Sequence, residues 1–400
     1  MKPSIFAKLS VMMLLEYFIW SAWYVTMGTY MTTFLHSEGD DIGNAYGALA
    51  IATMISPIFV GLVADRYFAA QRIMGVFHLL GAVLLYLATF ITGNLAFQGI
   101  ILVYSLLYTP TIALSNSVAF QQMTDPGKQF PWIRVFGTVG WIVAGILIGV
   151  FGIEKTPYTF YMAAAASALL GIISFMLPNT PPKATTNENT SVMKSIGADA
   201  LVLFKDKSYL IFFIAAILIC IPLSFYYGFA NVFLNSVGLS NPAGKMILGQ
   251  ASEAIFILAI PFLFNKIGVK KMLLLGMVAW VLRYVLFAYG NVDANLWMLY
   301  AGIILHGICY DFFFVTGYMY TDKKAGEKIK SAAQGLFTFA TYGVGMVIGT
   351  SFSGYMAKYY TVGGEYQWKQ IWFVPVYIAV AVLIYFVIFF KEKGEIKQAS

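Results

Sequence analysis

The sequence predicts an all-α membrane protein of 12 transmembrane helices in two six-helix halves, and three observations carry that expectation. Of 400 residues, 60% are hydrophobic and only 11% charged, outside the range of soluble domains. Apolar runs of about 20 residues, the length that crosses a hydrocarbon core, recur from end to end. A polar, proline-bearing stretch, Pro178 to Thr190, separates six of these runs from the other six. No segment is polar enough for a sizeable water-soluble domain, which excludes most enzyme classes.

The first run, near 9–35, is too long for a signal-peptide core and no small-residue cleavage site follows it, so it is expected to remain as a membrane anchor. Charges, prolines and Gly/Asn clusters bound the next five runs near 42–64, 71–92, 96–122, 131–152 and 157–178. After the linker, the stretch SIGADALVLFK reads as a short interfacial helix. The second set lies near 208–236, 246–265, 271–290, 295–319, 328–357 and 370–390. The expected organisation is an N-terminal six-helix half (1–178), a cytoplasmic linker with an interfacial helix (179–207) and a C-terminal six-helix half (208–400).

An even number of spans puts both termini on one side, and loop charge decides which. Nineteen of the 25 Lys and Arg residues fall on the terminal side, against four opposite: Lys155, Lys245, Lys358 and Lys369. Both termini are therefore expected in the cytoplasm. The same bias accounts for the net charge of +7 without nucleic acid as a partner. The two cysteines, Cys220 and Cys309, sit inside apolar runs and support neither a disulfide framework nor a metal site. No phosphate-binding G-x-x-x-x-G-K-[ST], H-E-x-x-H or C-x-x-C motif occurs, so no metal or cofactor is expected and energy is expected from a gradient.

A repeat is visible in the loops: Gly61-Leu-Val-Ala-Asp65-Arg66 follows the second run, and Asn265-Lys266-Ile-Gly268-Val-Lys270-Lys271 the eighth. The G-x-x-x-D-R turn resembles the loop signature of the major facilitator superfamily, whose layout is also two halves of six spans. Gly61, Asp65 and Arg66 take a structural or gating role on that resemblance. It also implies a monomer, and a central cavity lined by helices one, four, seven and ten.

Polar stripes fall on those four helices: Glu16, Trp20, Trp23, Met27 and Tyr30; Tyr104, Tyr108, Thr111 and Ser115; Ser224, Tyr227 and Asn231; His306, Tyr310 and Phe313. Ordinary helix packing explains any one stripe as well as a cavity does; four in corresponding places favour the cavity. Glycines four apart at Gly43/Gly47, Gly145/Gly149 and Gly345/Gly349 allow close helix contacts between the halves.

Five charges lie inside the runs, Glu16, Arg134, Glu253, Arg283 and Asp311, each costly unless paired or solvated. Arginine stays protonated, so Arg134 either pairs, donates to a solute, or snorkels to the interface. A carboxylate can cycle a proton, which makes Glu253, Asp311 and Glu16 the proton-coupling candidates. Arg283 and Asp311, on neighbouring helices, are expected to neutralise each other, and His78 to be a packed or hydrogen-bonded residue.

Longer stretches carry a narrower resemblance. Phe130-Pro-Trp-Ile-Arg134-Val-Phe-Gly-Thr138, Asp199-Ala-Leu-Val-Leu-Phe-Lys205, Ser252-Glu253-Ala-Ile-Phe-Ile-Leu-Ala-Ile-Pro261-Phe, Ala279-Trp-Val-Leu-Arg283-Tyr-Val-Leu-Phe-Ala-Tyr-Gly290 and Asp311-Phe-Phe resemble the bacterial nucleoside:proton symporters. That resemblance implies proton-coupled nucleoside uptake across the bacterial inner membrane by alternating access. It implies substrate contacts from Arg134, Thr138, Gln250 and Glu253, with Trp141 in place of a phenylalanine as a stacking surface. Ser224, Tyr227, His306 and Tyr310 are expected to complete the substrate site, and because the chain departs from the family there and at Glu16, the preferred base is left open. Another polar solute, such as a sugar, a glycoside or a modified nucleoside, and a non-transporting membrane sensor or scaffold are the competing readings.

Overall fold

The computed structural model describes residues 2–60, 67–182, 193 and 196–391. The Gly61, Asp65 and Arg66 turn lies outside the described residues, as does most of the Pro178–Thr190 linker. Eleven of the described helices are long and apolar enough to cross a membrane, and a twelfth, shorter apolar helix completes the set. In chain order these are α1 (Pro3–Phe34), α2 (Gly39–Phe59), α3 (Ala70–Ala88), α4 (Asn94–Gln121), α5 (Lys128–Phe151), α6 (Tyr158–Ser174), α7 (Lys207–Ser236), α8 (Pro242–Ile260), α9 (Lys266–Tyr289), α10 (Leu296–Gly326), α11 (Lys328–Tyr359) and α12 (Trp368–Phe389).

Several helices depart from the expected bounds. Helix α1 begins at Pro3, whose missing N–H costs nothing in a first turn. Helix α10 runs on past 319 to Gly326, where a positive φ of 63° breaks it before α11. The expected interfacial helix is a short 3-10 helix, Ala198–Lys205, packed on α11. Its leading Gly197 has φ 81°, and a Cβ there would lie 2.1 Å from the Ala332 carbonyl oxygen, so only glycine fits. Between α11 and α12 a two-stranded hairpin pairs Thr361–Val362 with Glu365–Tyr366 around Gly363-Gly364. That two-glycine turn is its sequence signal.

Among α1 to α6 the main contacts are α1 with α5 and α6, α2 with α4, and α3 with α4 and α6. Among α7 to α12 they are α7 with α11 and α12, and the α8–α9 pair with α10 and α12. The two sets meet along α2 with α11, α5 with α8, and the end of α1 with α7. Exposed apolar side chains such as Leu80, Val150, Leu258 and Ile388 cover the outside of the bundle, a surface suited to lipid rather than water.

At the end away from the termini the two sets are closed on each other. Gly43 of α2 lies so near α11 that a Cβ would sit 2.3 Å from the Thr350 carbonyl oxygen, and Gly149 of α5 lies as close to Asn241. Gly345 and Gly349, expected at the same kind of contact, instead pack α11 on α7. Thr29 donates to Asn231 Oδ1 at 2.5 Å, and Asn231 Nδ2 donates to Glu154 Oε2 at 3.1 Å. Glu154 Oε2 also accepts from the Ala243 N–H at the start of α8 (2.9 Å). Lys358 adds ion pairs to Glu38 and Asp40.

Candidate functional site

Below that closure lies a cavity of about 620 Å³, the size of small-molecule sites generally. It runs toward the terminal side, lined there by Ser56, Pro57, Asn116, Ile257, Tyr318 and Thr338. Eight helices contribute: α1, α2, α4, α5, α7, α8, α10 and α11. The expectation from the four stripes was therefore half of the lining. The glycine-bearing helices α2, α5 and α11, together with α8, supply the rest, because they converge in pairs where the two sets meet.

Arg134, Thr138, Trp141, Tyr227, Gln250, Glu253, His306 and Tyr310 all line this cavity. Arg134 does not snorkel; its guanidinium stands 4.0 Å over the Tyr17 ring, and it makes no ion pair among the described residues. Gln250 Oε1 is buried without a hydrogen-bond partner among the described residues. Glu253 is one helical turn further on, with its Oε2 3.9 Å from His306 Nε2. The aromatic surface opposite is continuous: Trp20 meets Trp141 at 5.5 Å between ring centroids, and Tyr24 meets Tyr227 at 5.5 Å.

Ser224 does not line the cavity. Its hydroxyl donates to the Cys220 carbonyl on its own helix and packs against Gly349, filling the contact between α7 and α11. Asn231 belongs to the closure above.

The stripe on α4 also turns elsewhere. Thr111 donates to Glu16 Oε1 at 2.7 Å and Tyr108 to the Glu16 carbonyl at 2.7 Å. Glu16 Oε2 meets His78 Nε2 at 3.0 Å, and His78 Nδ1 meets Ser167 Oγ at 3.2 Å. Glu16 is fully buried in this cluster and outside the cavity lining, while α4 offers the cavity Thr109, Ile112, Ala113 and Asn116.

Arg283 and Asp311 do not form the expected ion pair. Arg283 bonds His306 Nδ1 at 2.9 Å and lies 3.5 Å over the Tyr226 ring. Asp311 is fully buried at the start of a π-helical turn, Asp311–Val315, with neither carboxyl oxygen hydrogen-bonded to any described residue. A second π-helical stretch, Phe339–Gly345, faces it from α11 and brings the Tyr342 hydroxyl onto that of Tyr310. π-Turns recur at functional sites because they re-aim side chains within a helix.

Tyr17, Tyr24, Asn116, Tyr318, Thr338 and Tyr342 also line the cavity and were not singled out from sequence. In helices as rich in aromatics as these, periodicity does not separate a cavity face from a packed one.

Twelve helices closed at one end around a central polar and aromatic cavity define a membrane transporter with the major facilitator fold. Residues 3–395 match the family described as Nucleoside H+ symporter, and the chain belongs to that family. The Escherichia coli (strain K12) protein YegT is 43% identical to it over 96% of this chain and 94% of its own. The xanthosine permease of the same organism is 36% identical over 97% and 96%. Two crystal structures of the nucleoside transporter NupG, 32% identical, superpose with TM-scores of 0.91 and 0.89 over 97% of this chain and all of theirs. The protein is thus a transporter of nucleosides coupled to protons, not an enzyme.

Proposed function

We propose that this chain takes up a nucleoside with a proton by alternating access, with both termini cytoplasmic in the inner membrane of a bacterial cell. The observation that carries the proposal is the convergence of Arg134, Gln250, Glu253 and His306 on one cavity that also holds a broad aromatic surface. A ribose presents hydroxyls that donate and accept, which Gln250, Glu253 and His306 can satisfy, and Arg134 and Thr138 supply further donors. The flat base stacks on Trp141, with Trp20 and Tyr227 beside it. Tyr310 borders the sugar side. Ser224 acts indirectly, through the α7–α11 contact.

Glu253 is assigned both solute contact and proton exchange, since it is the acidic side chain of the cavity wall. Asp311 is the second proton site. Its two buried oxygens have no partner among the described residues, so a proton exchanged there breaks no existing hydrogen bond. Glu16 stands third, because its carboxylate is buried among His78 and Thr111 and lies outside the cavity lining. Coupling follows if the two conformations bind proton and nucleoside with different affinities.

Residues 1–178 and 208–400 are proposed as the two rocking bodies in a lipid bilayer, with 179–207 connecting them and a monomer as the working unit. The Gly61, Asp65 and Arg66 turn takes the inner gating role that the superfamily resemblance implies. The test is uptake of a labelled nucleoside panel into proteoliposomes. Accumulation above equilibrium that vanishes when an ionophore collapses the proton gradient supports the reading. Absence of uptake of every nucleoside by folded protein would point to another polar solute.

A further inference from the structure

Arg283 of α9 and His306 of α10 are both buried, and Arg283 Nη1 lies 2.9 Å from His306 Nδ1. A guanidinium carries only donors and keeps its charge. The hydrogen between the two atoms is therefore arginine's, and Nδ1 must be the acceptor. The neutral imidazole then holds its single proton on Nε2, whereas an imidazolium would set N–H against N–H. The arrangement is held from several sides. Tyr226 of α7 lies 3.5 Å from the guanidinium carbon and stacks on His306 at 4.9 Å between ring centroids. Cys309 Sγ accepts from the same Nη1 at 3.5 Å.

His306 Nε2 points at the cavity side, 3.9 Å from Glu253 Oε2, too far for a direct hydrogen bond. A donor and an acceptor standing together unbonded fit a group that accepts from one and donates to the other, which is a hydroxyl. An oxygen placed off the line at about 2.7 Å from each sees them about 90° apart, a workable geometry. We propose that Arg283 is a positioning residue that locks His306 in its Nε2–H form, so that His306 and Glu253 together grip one sugar hydroxyl of the solute. The grip rests on the nucleoside reading above; the lock does not. The titratable and charged groups around the imidazole are Tyr226 on α7, Glu253 on α8, Arg283 on α9, and Cys309, Tyr310 and Asp311 on α10 itself.

The lock is read by nitrogen NMR of ¹⁵N-histidine protein in bilayers. The chain has three histidines, so the His306 signals are those lost in H306Q. The expected wild-type spectrum shows a protonated Nε2 and a bare Nδ1 from pH 6 to 8, and R283M gives mixed tautomers or imidazolium. A wild-type Nδ1–H signal overturns the lock whatever R283M does.

The grip is read by competition with 2′-, 3′- and 5′-deoxynucleosides. One of the three is expected to compete roughly tenfold more weakly than the parent nucleoside, the scale of one hydrogen bond to a charged group. H306N, whose amide reaches only the Nδ1 position, should abolish that discrimination, while H306Q, which reaches the Nε2 position, retains part of it. Equal competition by all three analogues overturns the grip. If no nucleoside competes at all, the nucleoside reading fails and the grip with it, while the NMR signal still decides the lock.

Discussion

The first six helices and the last six each bury charged side chains, and they treat them differently. In the first set Glu16 is fully partnered, with His78 on one carboxyl oxygen and Thr111 on the other. In the last set, among the described residues, Arg283 Nε and Nη2 and both oxygens of Asp311 have no hydrogen-bond partner. A partnered charge belongs to the packing of its bundle and has little reason to change state. An unpartnered one is where a proton, a solute or a rearrangement changes the energy most. On the function proposed above, the difference places stability at Glu16 and coupling at Glu253 and Asp311, on α8 and α10.

The largest effect on stability should therefore come from Glu16. Glu16→Leu leaves His78 Nε2 without its partner and takes one of two hydrogen bonds from Thr111, and is expected to cost about 2–3 kcal/mol in unfolding, the scale of losing buried hydrogen bonds to a carboxyl group. Adding His78→Leu should return part of that loss. Asp311→Asn, which removes no hydrogen bond, should change unfolding by less than about 1 kcal/mol while abolishing gradient-driven accumulation. Equal destabilisation by Glu16→Leu and Asp311→Asn in detergent unfolding would erase the contrast.

A smaller effect is expected at the outer closure. Asn231→Leu removes bonds to Thr29 and Glu154, together about 2 kcal/mol, and should shift the closed population by roughly 30-fold. A cysteine at Val25, beside the closure, would then react faster with an impermeant maleimide applied from outside. An unchanged rate would mean that the glycine contacts and the Lys358 ion pairs hold the closure without Asn231.

The smallest effect is a pH dependence at Asp206, ahead of α7. Burial pushes its carboxyl up, but hydrogen bonds from Lys324 Nζ at 2.5 Å and from the Tyr209 and Ser208 N–H groups outweigh it and hold it below the ordinary value of 3.8. A depressed carboxyl contributes stability above its unfolded value, and the contribution is lost as pH falls through the folded value. Asp206→Asn should therefore lower stability slightly at pH 7 and not at all at the acid end of the titration. Asp206 is half-buried at the surface, where solvent screens the pair, so the difference is small.

Much of the fold was legible because lipid imposes a simple rule: a span must be apolar for about 20 residues, and the loops between carry the charge. Arg134, Gln250, Glu253, His306 and Tyr310 were legible for the same reason, since polar atoms stand out against that background. What each faces was not. Glu16 and Thr111 have the spacing of a cavity face yet turn into the first bundle, and Ser224 turns into the α7–α11 contact. Arg283 looked like the natural partner of Asp311 until the fold placed it on His306. Sequence gives the depth of a polar residue in the membrane but not its rotation about the bundle, which is set by packing with helices far away in the chain.

The most direct test of the account compares wild type with Glu253→Gln in proteoliposomes, measuring nucleoside accumulation under an inward proton gradient and nucleoside exchange without one. The variant is expected still to exchange, with KM raised roughly 10- to 100-fold by the lost charged hydrogen bond, and not to accumulate above equilibrium. Gradient-driven accumulation by Glu253→Gln at the wild-type rate would contradict it.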